Sequence, residues 1–185
     1  HILGDIEKGF QEADVIVERE FTTQTVHQGY IEPHASTATW TGDGRLTIWT
    51  CTQGSFAIRS SSAAILDIPE GQVRVIPTEI GGGFGGKESQ PALIACIAGL
   101  MAQKTGKPCK LRLDRDDDMI MTGKRHDFEI DYEVGFDDDG RIEGIEFMFA
   151  SRCGMSADLS GAINDRTMFH CDNAYFLENV TIVSH

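Results

Sequence analysis

Basic side chains are scarce in this sequence. Lysine and arginine number 16 against 29 aspartates and glutamates, a formal net charge of −13. That balance argues against nucleic acid as a partner, because phosphate binding needs a basic surface. Cysteine is thin as well: five residues, at 51, 96, 109, 153 and 171, widely spaced and with no Cys-x-x-Cys pair. A disulfide framework, a zinc ribbon and an iron–sulfur ligand set supplied by this chain alone are all disfavoured. None of the six histidines belongs to an HExxH-type grouping. No apolar run approaches the roughly 18–20 residues of a membrane-spanning helix. The opening His1-Ile2-Leu3-Gly4-Asp5 has no positive n-region and no small-residue cleavage site. A reduced, cytoplasmic setting is the default expectation, with neither a membrane nor a nucleic acid as partner.

What remains is globular in composition: 185 residues, 41% apolar and 24% charged, enough to bury a core. The chain starts at His1 and ends on Val183-Ser184-His185, straight after the apolar Val180-Thr181-Ile182. That end reads like a strand cut short, and the expectation is a piece of a larger polypeptide. Residues 14–26 alternate like a strand. Runs 34–40 and 45–51 read as a hairpin about Thr41-Gly42-Asp43-Gly44, where Gly and Asp accept the positive φ of a tight turn. Residues 53–66 read as a helix closed by Asp67-Ile68-Pro69-Glu70-Gly71. A second hairpin, 128–136 with 141–151, turns on Asp137-Asp138-Asp139-Gly140, and residues 160–171 look helical. The acidic run 114–118 reads as a solvated or salt-bridged turn. No repeat or low-complexity tract interrupts the pattern. The class is α+β: a mixed β-sheet with β-hairpins and a βαβ-like unit around a buried helix.

That βαβ-like unit holds the most informative stretch. Gln72–Ile76 is a strand, and Lys110–Leu113 another. Between them lie the loop Gly81-Gly82-Gly83-Phe84-Gly85-Gly86-Lys87-Glu88 and the apolar run Ala92–Met101. Ser89 is a plausible N-cap, Pro91 suits the first helical turn, and Gly106 with Pro108 ends the helix. The run is apolar on nearly every face, which predicts a helix buried within something larger; Cys96 inside it reads as a small buried hydrophobe. Five glycines in eight residues let a backbone approach a ligand closely, whereas the bland alternative is a tight connector that needs glycine for packing.

Two familiar patterns fit the loop incompletely. Gly81-x-Gly83-x-x-Gly86 matches the dinucleotide fingerprint, but the acidic residue due about 20 positions on would have to be Asp114, 28 residues past Gly86. Gly81-x-x-x-x-Gly86-Lys87 begins a Walker loop, yet the next position must be Ser or Thr to hold Mg²⁺ and is Glu88. A nucleotide-binding module using GxGxxG stays open as an alternative.

Phe84 and Glu88 fit neither pattern. The string from Ile80 through Glu88 resembles the cofactor loop of the molybdenum hydroxylases, the xanthine dehydrogenase and aldehyde oxidase family. The likeness continues through Lys104–Pro108, Leu113–Met119 and Met121–His126 to Phe169–Asn173 and Tyr175. It thus runs in order and spacing from about Thr50 to the end. His27-Gln28-Gly29-Tyr30-Ile31-Glu32-Pro33-His34 is similar to aldehyde-oxidase-like and hydroxybenzoyl-CoA-reductase-like members instead. The resemblance implies that residues 1–185 are a fragment of the molybdopterin-binding domain of a larger cofactor subunit.

The resemblance also implies a chemistry. The molybdenum cofactor (molybdopterin or its cytosine dinucleotide) would hold the metal through its own dithiolene, with no protein side chain as ligand. The backbone from Gly82 through Gly83 and Phe84 to Gly85 would lie against the cofactor, the Gly85 N–H donating to an oxo ligand and Phe84 walling the pocket. Gln28 is the nearest candidate for a glutamine that also meets an oxo group, although an ungapped alignment puts Val26 there. Glu88 is the candidate catalytic residue, able to hydrogen-bond ring nitrogens of a heteroaromatic substrate and so favouring purine-type specificity. A carboxylate merely complementing the dipole of a first helical turn is its competitor. Arg125-His126 recurs in the family pattern and suggests a structural charge pair with Asp114 or Asp116; Arg59 could face an anion. The family's base glutamate and a substrate-binding arginine in an FRGFGG-like motif are expected beyond this chain, as are 2Fe-2S and FAD partners on other domains or subunits. The chain is therefore expected not to turn over alone.

Overall fold

The computed structural model describes residues 1–185. In chain order the elements are β1 (Ile2–Leu3), α1 (Ile6–Glu12), β2 (Val15–Thr22), β3 (Ala35–Trp40), β4 (Leu46–Thr50), α2 (Ser55–Leu66), β5 (Val73–Pro77), α3 (Pro91–Thr105), β6 (Cys109–Arg112), α4 (Arg115–Met121), β7 (Phe128–Phe136), β8 (Ile142–Ser151), α5 (Ser160–His170) and β9 (Val180–Ser184). They form two compact units, residues 27–125 and residues 1–26 with 126–185. Both sheets mix parallel and antiparallel pairs, as the α+β expectation requires.

In residues 27–125 the sheet order is β5-β4-β3-β6. Both predicted arms of the first hairpin are present. Its turn closes with the Thr41 N–H donating to the Arg45 carbonyl at 2.9 Å, and Gly44 takes φ +82°. The immediate βαβ is β4–α2–β5, whose strands pair in parallel and so need the crossover that α2 supplies. β5 and β6 lie at opposite edges, because the hairpin of β3 and β4 is inserted between them, and α3 spans the sheet to join them. α2 ends at Asp67 in the left-handed region, φ +53°, with the Ile68 N–H returned to the Ala63 carbonyl.

Ala38, Leu46, Ile48, Ile58, Ala95 and Ala98 form the core where α2 and α3 lie on this sheet. α3 approaches closely at Gly99, whose carbonyl accepts from Trp40 Nε1 at 2.8 Å. The helix is not covered all round. Leu93, Ile97, Leu100 and Met101 stay 38–50% exposed, a free apolar face on a helix whose other side is core. Cys96 is buried in that core side against Ser62. Pro91 occupies the first helical position as expected, but the N-cap is Gln90 and not Ser89; Gly106 ends the helix at φ +65°.

The acidic run 114–118 is not a solvated turn. Asp114 caps α4, its side chain accepting from the Asp117 N–H, and the following acids complement the dipole of the first turn. Asp118 is driven wholly inside. Arg125 forms no ion pair with Asp114 or Asp116; it is exposed, and His126 instead meets Ser160 Oγ at 2.7 Å. Arg59 is spent on Glu70, donating through Nε and Nη2 to that residue's carbonyl.

The other unit carries the sheet β1-β9-β8-β7-β2. The second hairpin turns at Gly140, φ +79°, with the Arg141 N–H held by the Asp137 carboxylate. Val134, Ile145, Phe149, Val180 and Ile182 make its core. Glu18, Glu133 and Glu146 stand side by side on β2, β7 and β8, so three like charges share one row. No helix is long and apolar enough to cross a membrane.

Candidate functional site

The glycine loop leaves β5 and runs to α3 inside residues 27–125. Its centre is a turn in which the Gly86 N–H donates to the Gly83 carbonyl at 2.8 Å. The two central residues, Phe84 and Gly85, take φ of +51° and +87°, and Gly82 before them takes +91°. A non-glycine residue in the left-handed region is uncommon, and such strain collects where surrounding structure imposes it.

The glycines divide by cause. A β-carbon at Gly81 would stand 2.6 Å from Glu32 Cβ, one at Gly83 2.3 Å from Gln53 Oε1, and one at Gly86 2.6 Å from Tyr30 Cε1. Those positions are glycine because something packs there. At Gly85 nothing lies within 4 Å. Only its backbone conformation demands glycine, and the backbone faces open space.

Both ends of the loop are clamped. Glu32 Oε2 accepts from the Gly81 N–H at 2.8 Å and from Lys87 Nζ at 2.8 Å. The Glu32 N–H donates back to the Gly81 carbonyl. Burial would raise the Glu32 carboxyl, but the Lys87 ammonium and Gly81 amide outweigh it and hold the group below its ordinary range. Lys87 is completely buried, its ammonium 4.7 Å from the centre of the Tyr30 ring. At the other end, Gln53 Oε1 accepts from the Gly85 N–H at 3.1 Å and the Lys87 N–H at 3.2 Å. The Lys87 carbonyl in turn accepts from the Gln53 N–H and from Thr52 Oγ1.

Behind the clamp lies a buried polar hub. Asp118 Oδ1 accepts from the Tyr30 hydroxyl at 2.6 Å; Oδ2 accepts from the His34 N–H at 2.5 Å and faces His34 Nδ1 at 2.9 Å. Burial alone would push the Asp118 carboxyl up. The His34 amide, the Tyr30 hydroxyl and the His34 ring overcome it and hold the carboxyl at about 2. Burial, helped by the Asp118 charge, pushes the Tyr30 hydroxyl well up. Burial also pulls His34 down against the opposing pull of Asp118, and because a carboxylate only accepts, the His34 Nδ1–H donates to Asp118 Oδ2. Nε2 is buried and closes no hydrogen bond, although the Gly86 backbone is near enough to favour the charged ring.

Gln28 is half-buried beside the loop, its amide 3.0 Å from where a β-carbon on Gly86 would be, and its Oε1 has no hydrogen-bond partner. Phe84 is 74% exposed, with its ring edge folded back over Gly82. The Gly85 N–H, expected to serve a ligand, donates to Gln53. Glu88 is half-buried and lies before the Gln90 cap, outside the first turn of α3, which holds no acid. Glu32, Gln53, Lys87, Tyr30, His34 and Asp118 received no role in the cradle from the sequence.

A glycine loop pinned at both ends, open at Gly85 and backed by a polar hub, defines a domain built to hold a cofactor against its backbone. This chain belongs to the molybdopterin cofactor-binding domain family, whose model matches residues 1–185. It is 40% identical over 178 residues to the xanthine dehydrogenase/oxidase of Mus musculus, covering 96% of this chain and 13% of that protein. With the xanthine dehydrogenase/oxidase of Gallus gallus it shares 38% over 181 residues, 97% of this chain and again 13% of the relative. The aldehyde oxidoreductase of Desulfovibrio gigas superposes with a TM-score of 0.86 at 24% identity, over 98% of this chain and 20% of that one. At such identity the superposition speaks for the fold alone. The chain thus spans a small part of the proteins it matches.

The residues fit the family's cofactor on two observations. The Gln28 amide is left without a partner for its oxygen where a polar ligand would supply one, and a flip of that amide offers a donor instead. The backbone at Gly85 has open space beside it where a planar group can approach. Gln28, Gly82 and Gly85 would make the contacts.

Proposed function

We propose that this chain is the part of a molybdenum-cofactor subunit that lays loop 81–88 against the cofactor. The parent enzyme is an oxidoreductase that hydroxylates purines or related N-heteroaromatics, with water as the oxygen source. The observation that carries this reading is the loop itself, clamped at Gly81, Gly85 and Lys87 while its face at Gly85 stays open. The relatives named xanthine dehydrogenase, at 34–40% identity over nearly the whole chain, support a purine-type substrate.

When bound, the molybdenum cofactor supplies the oxidising centre that takes up the substrate's electrons. The chain's own residues bind and orient. Gly85 gives backbone without side-chain obstruction, Gly82 lends its backbone under the edge of the Phe84 ring, and the Gln28 amide offers a polar contact beside Gly86. Phe84, exposed here, is available as an apolar wall that excludes water from the reacting pair. Glu88 hydrogen-bonds a ring nitrogen and stabilises charge developing on the substrate ring. The cytosine dinucleotide form of the pterin, the 2Fe-2S and FAD groups on other domains, and a cytoplasmic setting belong to the same reading.

A nucleotide phosphate fits less well. Lys87 has no exposed surface and is committed to Glu32, so it cannot reach a phosphate without breaking the clamp. The deciding experiment is Glu88→Gln in the parent enzyme. Molybdenum content should hold while turnover of N-heterocycles falls roughly 10²-fold or more, the usual scale for a lost charge-stabilising hydrogen bond. Unchanged kinetics would remove Glu88 from the site. Full activity with aldehydes alone would move the enzyme to the aldehyde-oxidising branch.

A further inference from the structure

We propose that Gln53 is a positioning residue for this site: its single side-chain oxygen sets the Gly85 amide and the path of the chain into Glu88. The inference rests on the cofactor-loop reading above. Gln53 meets two loop residues, Gly85 and Lys87, through three hydrogen bonds. Gln53 Oε1 accepts from both the Gly85 and the Lys87 N–H groups, at 3.1 and 3.2 Å. The backbone N–H of Gln53 also donates to the Lys87 carbonyl at 2.8 Å, and Thr52 Oγ1 donates to that carbonyl at 3.1 Å. Lys87 is then bound at its amide by Gln53, at its carbonyl by Thr52 and Gln53, and at its ammonium by Glu32. The residue immediately before Glu88 has no freedom left, so the Glu88 backbone leaves it in one direction.

The same oxygen explains two features that local preference does not. Phe84 is held at φ +51°, a conformation with no local reward for a phenylalanine. The turn that contains it brings the Gly85 N–H round to share an acceptor with the Lys87 N–H. A β-carbon at Gly83 would stand 2.3 Å from that acceptor, so Gly83 is glycine to let Gln53 in. Gln53, itself solvent-exposed, thus lies against the Gly83 side of the loop and leaves the side at Gly85 open. It need not touch the substrate: it acts through the residues it holds.

Two substitutions in the parent enzyme separate positioning from packing. Gln53→Met keeps the length and much of the bulk but removes the acceptor; Gln53→Glu keeps an acceptor oxygen in the same place. Gln53→Met should lower kcat/KM for an N-heterocycle at least tenfold at unchanged molybdenum content. It should also speed amide exchange at Gly85 and Lys87. Gln53→Glu should recover kcat/KM to within about threefold and restore slow exchange, which a merely space-filling role would not predict. Should Gln53→Met not accumulate as folded enzyme, Gln53→Asn, which withdraws the amide by one methylene, must show the same loss. Wild-type kinetics and exchange in either acceptor-deficient variant would overturn the proposal, as would a Gln53→Glu enzyme no better than Gln53→Met. Glu88→Gln run alongside distinguishes the two failures. If it is silent, Glu88 leaves the site and with it the substrate contact that Gln53 is proposed to set; if it alone loses turnover, only the role of Gln53 falls.

Discussion

Asp118 offers the sharpest test of how the cradle is held together. Asp118→Asn keeps the shape of the side chain and removes its charge. The asparagine has one acceptor oxygen, and this must stay with His34, because a backbone N–H can only donate. The amide NH₂ then faces Tyr30, whose hydroxyl has to turn and accept. These three bonds survive as neutral ones, each losing roughly 1 kcal/mol relative to its charge-assisted form, while His27 Nε2, 3.4 Å from Oδ1, loses its acceptor. Relief of the buried charge returns part of that sum, leaving a net cost of about 2 kcal/mol. Linkage leads to a similar figure. A carboxyl lowered from 3.8 to about 2 contributes about 2 kcal/mol. Because the folded value lies below the ordinary one, that contribution is complete above about pH 4 and is lost as pH falls toward 2. Thermal unfolding of the chain should therefore show a drop of roughly 4–8 °C at neutral pH for Asp118→Asn. The gap should narrow as both proteins are taken down toward pH 2. Asp117→Asn, one residue away and exposed, should shift stability by no more than about 0.5 kcal/mol. Equal effects at the two aspartates, or a gap that persists undiminished in acid, would refute the hub.

The same hub shows where sequence reading stops. The loop, both hairpins and α3 could be read because their signals are local: turn glycines at Gly44 and Gly140, Pro91 at a helix start and Gly106 at its end. Asp118 could not be read. Its partners Tyr30 and His34 lie 88 and 84 residues away, and five residues of mostly acid look solvated when nothing local says which carboxylate turns inward. A signal was present in part, since Asp114 and the acids after it make a cap followed by an acidic first turn, which marks a helix. Once α4 is a helix, some of those acids point away from solvent. Lys87 and Glu32, 55 residues apart, pose the same difficulty: a basic residue after a glycine run suggests phosphate until its carboxylate is seen. The insertion of a hairpin between β5 and β6 is likewise non-local, for a βαβ pattern says only that two strands run parallel and not that they touch.

Elsewhere the geometry is equally testable. Glu133 sits in register between Glu18 and Glu146, so Glu133→Gln should stabilise the chain by about 0.2–1 kcal/mol at low salt, and less at high salt; a loss of stability in urea unfolding would contradict the row of like charges. The loop glycines yield a paired prediction, since their causes differ. At Gly86 an added methyl meets Tyr30 Cε1 at 2.6 Å, so Gly86→Ala has to displace a fully buried ring tied to Asp118 and should cost about 1–3 kcal/mol by thermal unfolding. At Gly85 the space is open and only the positive φ resists, so Gly85→Ala should cost roughly 1 kcal/mol while its methyl projects onto the face where the cofactor is proposed to lie. Molybdenum content of the parent enzyme should then fall further with Gly85→Ala than the small stability loss accounts for, whereas Gly86→Ala should lower stability and metal together. Full metal in Gly85→Ala would mean that the open face of the loop is not the face that meets the cofactor.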